Sequence, residues 1–79
     1  MKLKYIRVEV RGCETLILFQ EFVQHIEMAK KFGGATNVLS AGFCSIQDEK
    51  ASCYGKSESL KKEADPTDTR MLQRMLKDY

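Results

Sequence analysis

No stretch of the chain approaches the roughly 20 consecutive apolar residues that a membrane-crossing helix needs. The alternating charges of Met1-Lys2-Leu3-Lys4-Tyr5-Ile6-Arg7 also exclude the unbroken apolar stretch of a secretory signal. Charge of one sign is scarce as well. Thirteen Lys and Arg against 11 Asp and Glu leave +2, so no whole-protein field draws the chain to DNA, RNA or an anionic membrane. The three cysteines, Cys13, Cys44 and Cys53, are an odd number, which argues against a secreted disulfide framework. Together these shortages point to a cytoplasmic protein.

What is present suits one small domain. A chain of 79 residues buries about 60% of its unfolded surface and holds a single thin core, leaving no room for a second domain. With 43% hydrophobic and 30% charged residues, the composition is that of a folding chain rather than a disordered one.

Residues 2–10 alternate, with Ile6, Val8 and Val10 on one parity and Tyr5, Arg7 and Glu9 on the other, as in a strand with one buried face. Gly12 then precedes the β-prone run Thr15-Leu16-Ile17-Leu18-Phe19, so the two segments read as a hairpin. From Gln20 the period changes. Phe22, Ile26, Ala29 and Phe32 recur at helical spacing, and Gly33 supplies a left-handed cap, which predicts a helix to about Phe32.

Val38 to Ile46 returns to a β-like stretch with Leu39, Ala41 and Phe43 sharing a face. A two-residue loop at Asp48-Glu49 would pair Ile46 with Ala51, Cys44 with Cys53 and Phe43 with Tyr54. The fourth strand is expected over Ala51 to Ser57, with Ser59-Leu60 as an extension and 61–64 as a charged linker. Asp65-Pro66-Thr67-Asp68 reads as an N-cap, a first-turn proline and a first-turn acid. The helix it opens carries Met71, Leu72, Met75 and Leu76 as an apolar stripe, with Arg70, Gln73, Arg74 and Lys77 facing away. The expected architecture is α+β, a single domain over residues 1–79 in the order ββαββα: a four-stranded antiparallel sheet with both helices on one face.

None of the chemical motifs holds. Gly55-Lys56-Ser57 matches the tail of a phosphate-binding loop, but Lys50 stands where the leading glycine belongs. The cysteines and His25 are zinc-ligand types without the tight pairs that zinc sites use, so buried thiols are the better reading. His25, the lone histidine, has Glu21 one helical turn away, which is common on ordinary helices and no evidence of acid–base chemistry. Neither catalysis, a metal nor a cofactor is expected. Arg70, Arg74 and Lys77 form a basic stripe and Lys2, Lys4, Arg7 and Arg11 load the first strand, but Glu9, Glu14, Asp68 and Asp78 interrupt the charge, which disfavours nucleic acid as a partner.

Three segments, Ser40-Ala41-Gly42-Phe43, the run from Cys53 to Leu60, and Asp65 to Leu72 with its proline-capped start, resemble a group of small uncharacterised bacteriophage and prophage proteins over about the C-terminal half of the chain. The resemblance implies an accessory protein that binds a host protein, a defence component or a nucleotide signal rather than one that catalyses. The interaction surface expected on this reading comprises Tyr54, Lys56, Ser57, Ser59, Arg70, Arg74 and Lys77, although the serine hydroxyls suit local turn hydrogen bonds at least as well. The expected function is protein–protein binding, with nucleic-acid or nucleotide-signal binding as the alternative. The small core also makes a homodimer through an edge strand, the first or the fourth, an expectation.

Overall fold

A computed structural model describes residues 1–77. β1 (Lys2–Val10) and β2 (Cys13–Phe19) form a hairpin whose loop residues Arg11 and Gly12 both have positive φ, 53° and 80°. This geometry matches the right-handed twist of the strands and makes Val10↔Cys13 the loop-closing pair. The chain continues through α1 (His25–Lys30), a 3-10 turn at Ala35–Asn37, β3 (Val38–Gln47), β4 (Lys50–Tyr54), the short strands β5 (Lys56–Ser57) and β6 (Lys62–Glu63), and α2 (Pro66–Lys77). The main sheet is antiparallel in the order β2-β1-β3-β4, and β5 pairs with β6 in a separate ribbon packed against β3.

The two helices lie on opposite faces of the sheet, not on one. β1 is central, so both of its parities are buried. Ile6 and Val8 join Phe19, Ala29, Val38, Ala41 and Leu60 on the α1 side, while Tyr5 joins Leu16, Cys44 and Leu72 on the α2 side. Each fully buried apolar side chain stabilises by about 1.5–3 kcal/mol, and a three-layer arrangement lets a short chain use two such faces. A strand read as having one wet face therefore sits at the centre of the molecule. Nor is it an edge, as one route to a dimer required.

Local details follow from the residues, with several corrections. Gly33, at φ 96°, turns the chain after α1 as expected, with the Gly34 N–H donating to Ala29 O at 2.8 Å, although the helix itself ends at Lys30 rather than about Phe32. The helix starts at His25 rather than Gln20, however, because Lys4 Nζ donates to Val23 O at 2.9 Å and Lys2 pairs with Glu21, holding residues 20–24 in irregular conformation. Phe22, expected on the apolar stripe, is left 85% exposed.

A bulge between Arg7 and Val8 places Val38, not Leu39, on the face of Ala41 and Phe43. The β3–β4 register is as expected from the Asp48-Glu49 loop, with Ile46↔Ala51, Cys44↔Cys53 and Phe43↔Tyr54. The fourth strand ends at Tyr54 rather than Ser57, because Gly55 at φ 78° turns the chain. Lys62 and Glu63, expected in a linker, form β6.

The N-cap and first-turn acid expected from Asp65-Pro66-Thr67-Asp68 are present at the start of α2, and together they close a capping box. Asp65 Oδ1 accepts from the Thr67 N–H and Asp68 Oδ2 accepts from the Asp65 N–H, each at 2.9 Å. Gln73 does not face away: its Oε1 accepts from the Ala51 N–H, and Thr69 Oγ1 accepts from the Cys53 N–H, both at 2.9 Å. These two side chains cap the outward backbone groups of β4. No helix among the described residues is long and apolar enough to cross a membrane.

Candidate functional site

The polar groups divide between the two faces of the sheet. On the α2 side, Asp68 is fully buried and accepts from the Tyr5 hydroxyl at 2.5 Å, the Ser40 hydroxyl at 2.7 Å, Arg7 Nη1 at 3.1 Å and the Asp65 N–H. Arg7 also holds Glu14 and the Thr67 hydroxyl. Burial, the bond to Asp68 and its charge all push the Tyr5 hydroxyl pKa above the ordinary tyrosine value. Each charge has a partner and each hydroxyl an acceptor, which is the pattern of a fastener between strand and helix. A sequence signal for it existed only in part: Asp68 was marked as a first-turn acid of α2, and nothing marked Tyr5 or Ser40 as its donors.

On the α1 side, a cleft of about 450 Å³ is lined by Lys4, Gln24, His25, Phe43, Lys56, Glu58 and Ser59. The short helix covers only part of this sheet face. Position 43 sits beyond it, where the Phe43 ring stacks on Tyr54 with 6.2 Å between centroids, meets His25 edge-on at 5.7 Å, and carries Lys2 Nζ at 5.1 Å above its face. His25 is buried, and its Nε2–H donates to the Gly42 carbonyl at 2.8 Å. Burial lowers its pKa below the usual imidazole value, the carbonyl bond offsets part of that, and nearby Lys4 adds to the lowering. Glu21 is not a partner of His25, since it precedes the helix and pairs with Lys2. Glu58 in the cleft wall is bound to Lys56.

The expected interaction residues are thus split. Tyr54, Lys56 and Ser59 come together around the cleft, whereas Arg70, Arg74 and Lys77 are exposed on α2, across the sheet. Ser57 is buried, with its hydroxyl accepting from the Leu60 N–H at 3.2 Å, so it fastens the turn and presents nothing to a partner. Ser59 accepts from the Ile26 N–H at 3.3 Å, joining the β5–β6 turn to α1. The cleft residues that sequence reasoning did not assign to a site are the half-buried Phe43 and, at its rim, Lys4 and Gln24. Only the strand register could have placed them beside Tyr54.

Cys44 and Cys53 are opposite one another, as the register required, and both are free thiols. Burial raises both pKa values, that of Cys53 to about 12. Among the described residues no group of three or more His, Cys, Asp or Glu side chains is placed to hold a metal ion. Comparison with models of protein families, with curated proteins and with solved structures found no match.

Proposed function

We propose that this chain is a non-catalytic binding module that acts on a host or defence protein through the aromatic and lysine-bearing face around the cleft: Lys2, Lys4, Phe43, Tyr54 and Lys56. The observation that carries the reading is the stacked Phe43–Tyr54 pair on the part of the sheet that α1 leaves open, with Lys2 over Phe43, and an 85% exposed Phe22 in the loop before α1. Tyr54 is exposed and Phe43 half-buried behind it, and aromatic side chains of this kind are the groups that anchor protein interfaces. The groups able to do chemistry are engaged in holding the fold: His25 on a backbone carbonyl, Asp68 on its donors, and the paired cysteines with raised pKa values. Against nucleic acid, Lys2 and Lys4 lie on the α1 side and Arg70, Arg74 and Lys77 on α2, so the cations form no continuous surface.

The test is affinity capture from host lysate with three baits: the wild-type chain, a Tyr54→Ala/Lys56→Glu variant and an Arg70→Glu/Arg74→Glu variant. A protein held by the first and third and lost from the second supports the reading. Retention by the second variant moves the site elsewhere, and saturable binding of a nucleotide in calorimetry, lost with Lys56→Glu, replaces the reading with the nucleotide-signal alternative.

A further inference from the structure

The hydrogen-bond alternation of the sheet leaves one edge capped and the other bare. Since Val10↔Cys13 closes a two-residue loop, the bonded pairs of the first hairpin are Val10↔Cys13, Val8↔Thr15, Ile6↔Ile17 and Lys4↔Phe19. The main-chain groups of Glu14, Leu16 and Leu18 therefore point away from β1. The same alternation applied to β3–β4 makes Ala51 and Cys53 the outward residues of β4, and these are the two whose N–H groups Gln73 and Thr69 take up. Among the described residues, no backbone or side-chain group plays that part for Glu14, Leu16 or Leu18.

We propose that β2 is a docking edge for β2 of a second copy of this chain, paired antiparallel about Leu16 so that two sheets become one. In this register Leu16 faces Leu16, Glu14 faces Leu18 and Thr15 faces Ile17. Every outward main-chain group meets an outward group, and the like charges of the two Glu14 residues stay apart. Moving the axis to Thr15 sets Leu18 against the Gly12 loop, and moving it to Ile17 sets Glu14 against Gln20 beyond the strand, so only the Leu16 axis uses all three bare residues.

A groove of about 240 Å³ beside this edge is lined by Glu14, Thr15, Met71, Arg74 and Met75. It offers one acid, one base and two half-buried methionines, which is self-complementary under a two-fold axis. The residues are distinct from those of the proposed binding face, so either idea can fail alone.

Sedimentation equilibrium from about 10 μM to about 1 mM, with amide exchange followed by NMR at both ends, tests this. The mass is expected to rise toward twice the 9.1 kDa of the chain. The Glu14, Leu16 and Leu18 amides are expected to slow by about tenfold or more, with Ala51 and Cys53 unchanged. Glu14→Pro, which removes one outward N–H, should shift the association to higher concentration. A mass that stays at 9.1 kDa overturns the proposal, as does a dimer in which the β2 amides remain unprotected. The exchange measurement on the wild-type chain decides even where the proline variant does not fold.

Discussion

Replacing Asp68 with alanine should be among the most damaging single changes in the chain, and the structure sets the size of the effect. The carboxylate accepts from four donors, of which the Tyr5 and Ser40 hydroxyls are buried. Each orphaned buried hydroxyl costs about 1–3 kcal/mol, and breaking a buried charged network by removing one partner costs about 3–5 kcal/mol. Arg7 retains Glu14 and the Thr67 hydroxyl, which limits its share.

The expectation for Asp68→Ala is a loss of about 3–5 kcal/mol, against about 4–12 kcal/mol for a domain of this length. Tyr5→Phe removes one donor and leaves Asp68 three, so it should cost only about 1–2 kcal/mol. In the Asp68→Ala background the sign should reverse, because the Tyr5 hydroxyl no longer has an acceptor and its removal relieves a penalty. Urea unfolding followed by circular dichroism on the two single variants and the double variant measures all three values. A loss below about 1 kcal/mol for Asp68→Ala, or strict additivity with Tyr5→Phe, would refute the fastener reading.

Four further outcomes are expected. His25 has a folded-state pKa below its ordinary value of 6.5, so its contribution to stability is complete above about pH 6.5 and is lost as pH falls through the folded value; His25→Gln should flatten this acid limb of a pH-dependent unfolding curve. Tyr5, Cys44 and Cys53 have raised values, so stability should fall as pH climbs from about 9 toward 12, by at most about 1.4 kcal/mol per unit for each group, and Tyr5→Phe should lessen the slope above pH 10. At Gly42 a β-carbon would lie 2.5 Å from Tyr54 O and 3.3 Å from Gly55 O; Gly42→Ala should therefore cost about 1–3 kcal/mol in the same assay, and a neutral result would mean that the Tyr54-Gly55 crossing is loose. Glu49 sits at φ 67° in a two-residue hairpin loop, so Glu49→Gly should raise the unfolding midpoint, with a gain of about 0.5–1 kcal/mol; a loss would show that the side chain matters more than the backbone strain.

Short-range chemistry was legible in the residues themselves. Asp65-Pro66-Thr67-Asp68 marked the start of α2, Gly33 marked the turn after α1, Gly12 marked the first hairpin, and the length of the Asp48-Glu49 loop set the Phe43↔Tyr54 pairing. Such features depend on φ, on a missing N–H or on a hydroxyl within a few positions, so neighbouring residues decide them. The candidate site was legible only as far as Tyr54, Lys56 and Ser59. The Phe43 partnership with His25, the burial of Ser57 and the remoteness of Arg70, Arg74 and Lys77 all depend on which face each element covers.

What the sequence by itself determined was a single small α+β domain, the existence and type of most of its elements, and the β3–β4 register. Only the tertiary structure decided that β1 is central and buried on both faces, that α1 and α2 lie on opposite sides, and that β2 rather than β4 is the bare edge. The physical reason is that strand order is settled by which apolar faces find cover. Ile6 and Tyr5 are both apolar enough to be inside, and nothing within a few residues of either says whether a helix 20 or 60 positions away will cover it.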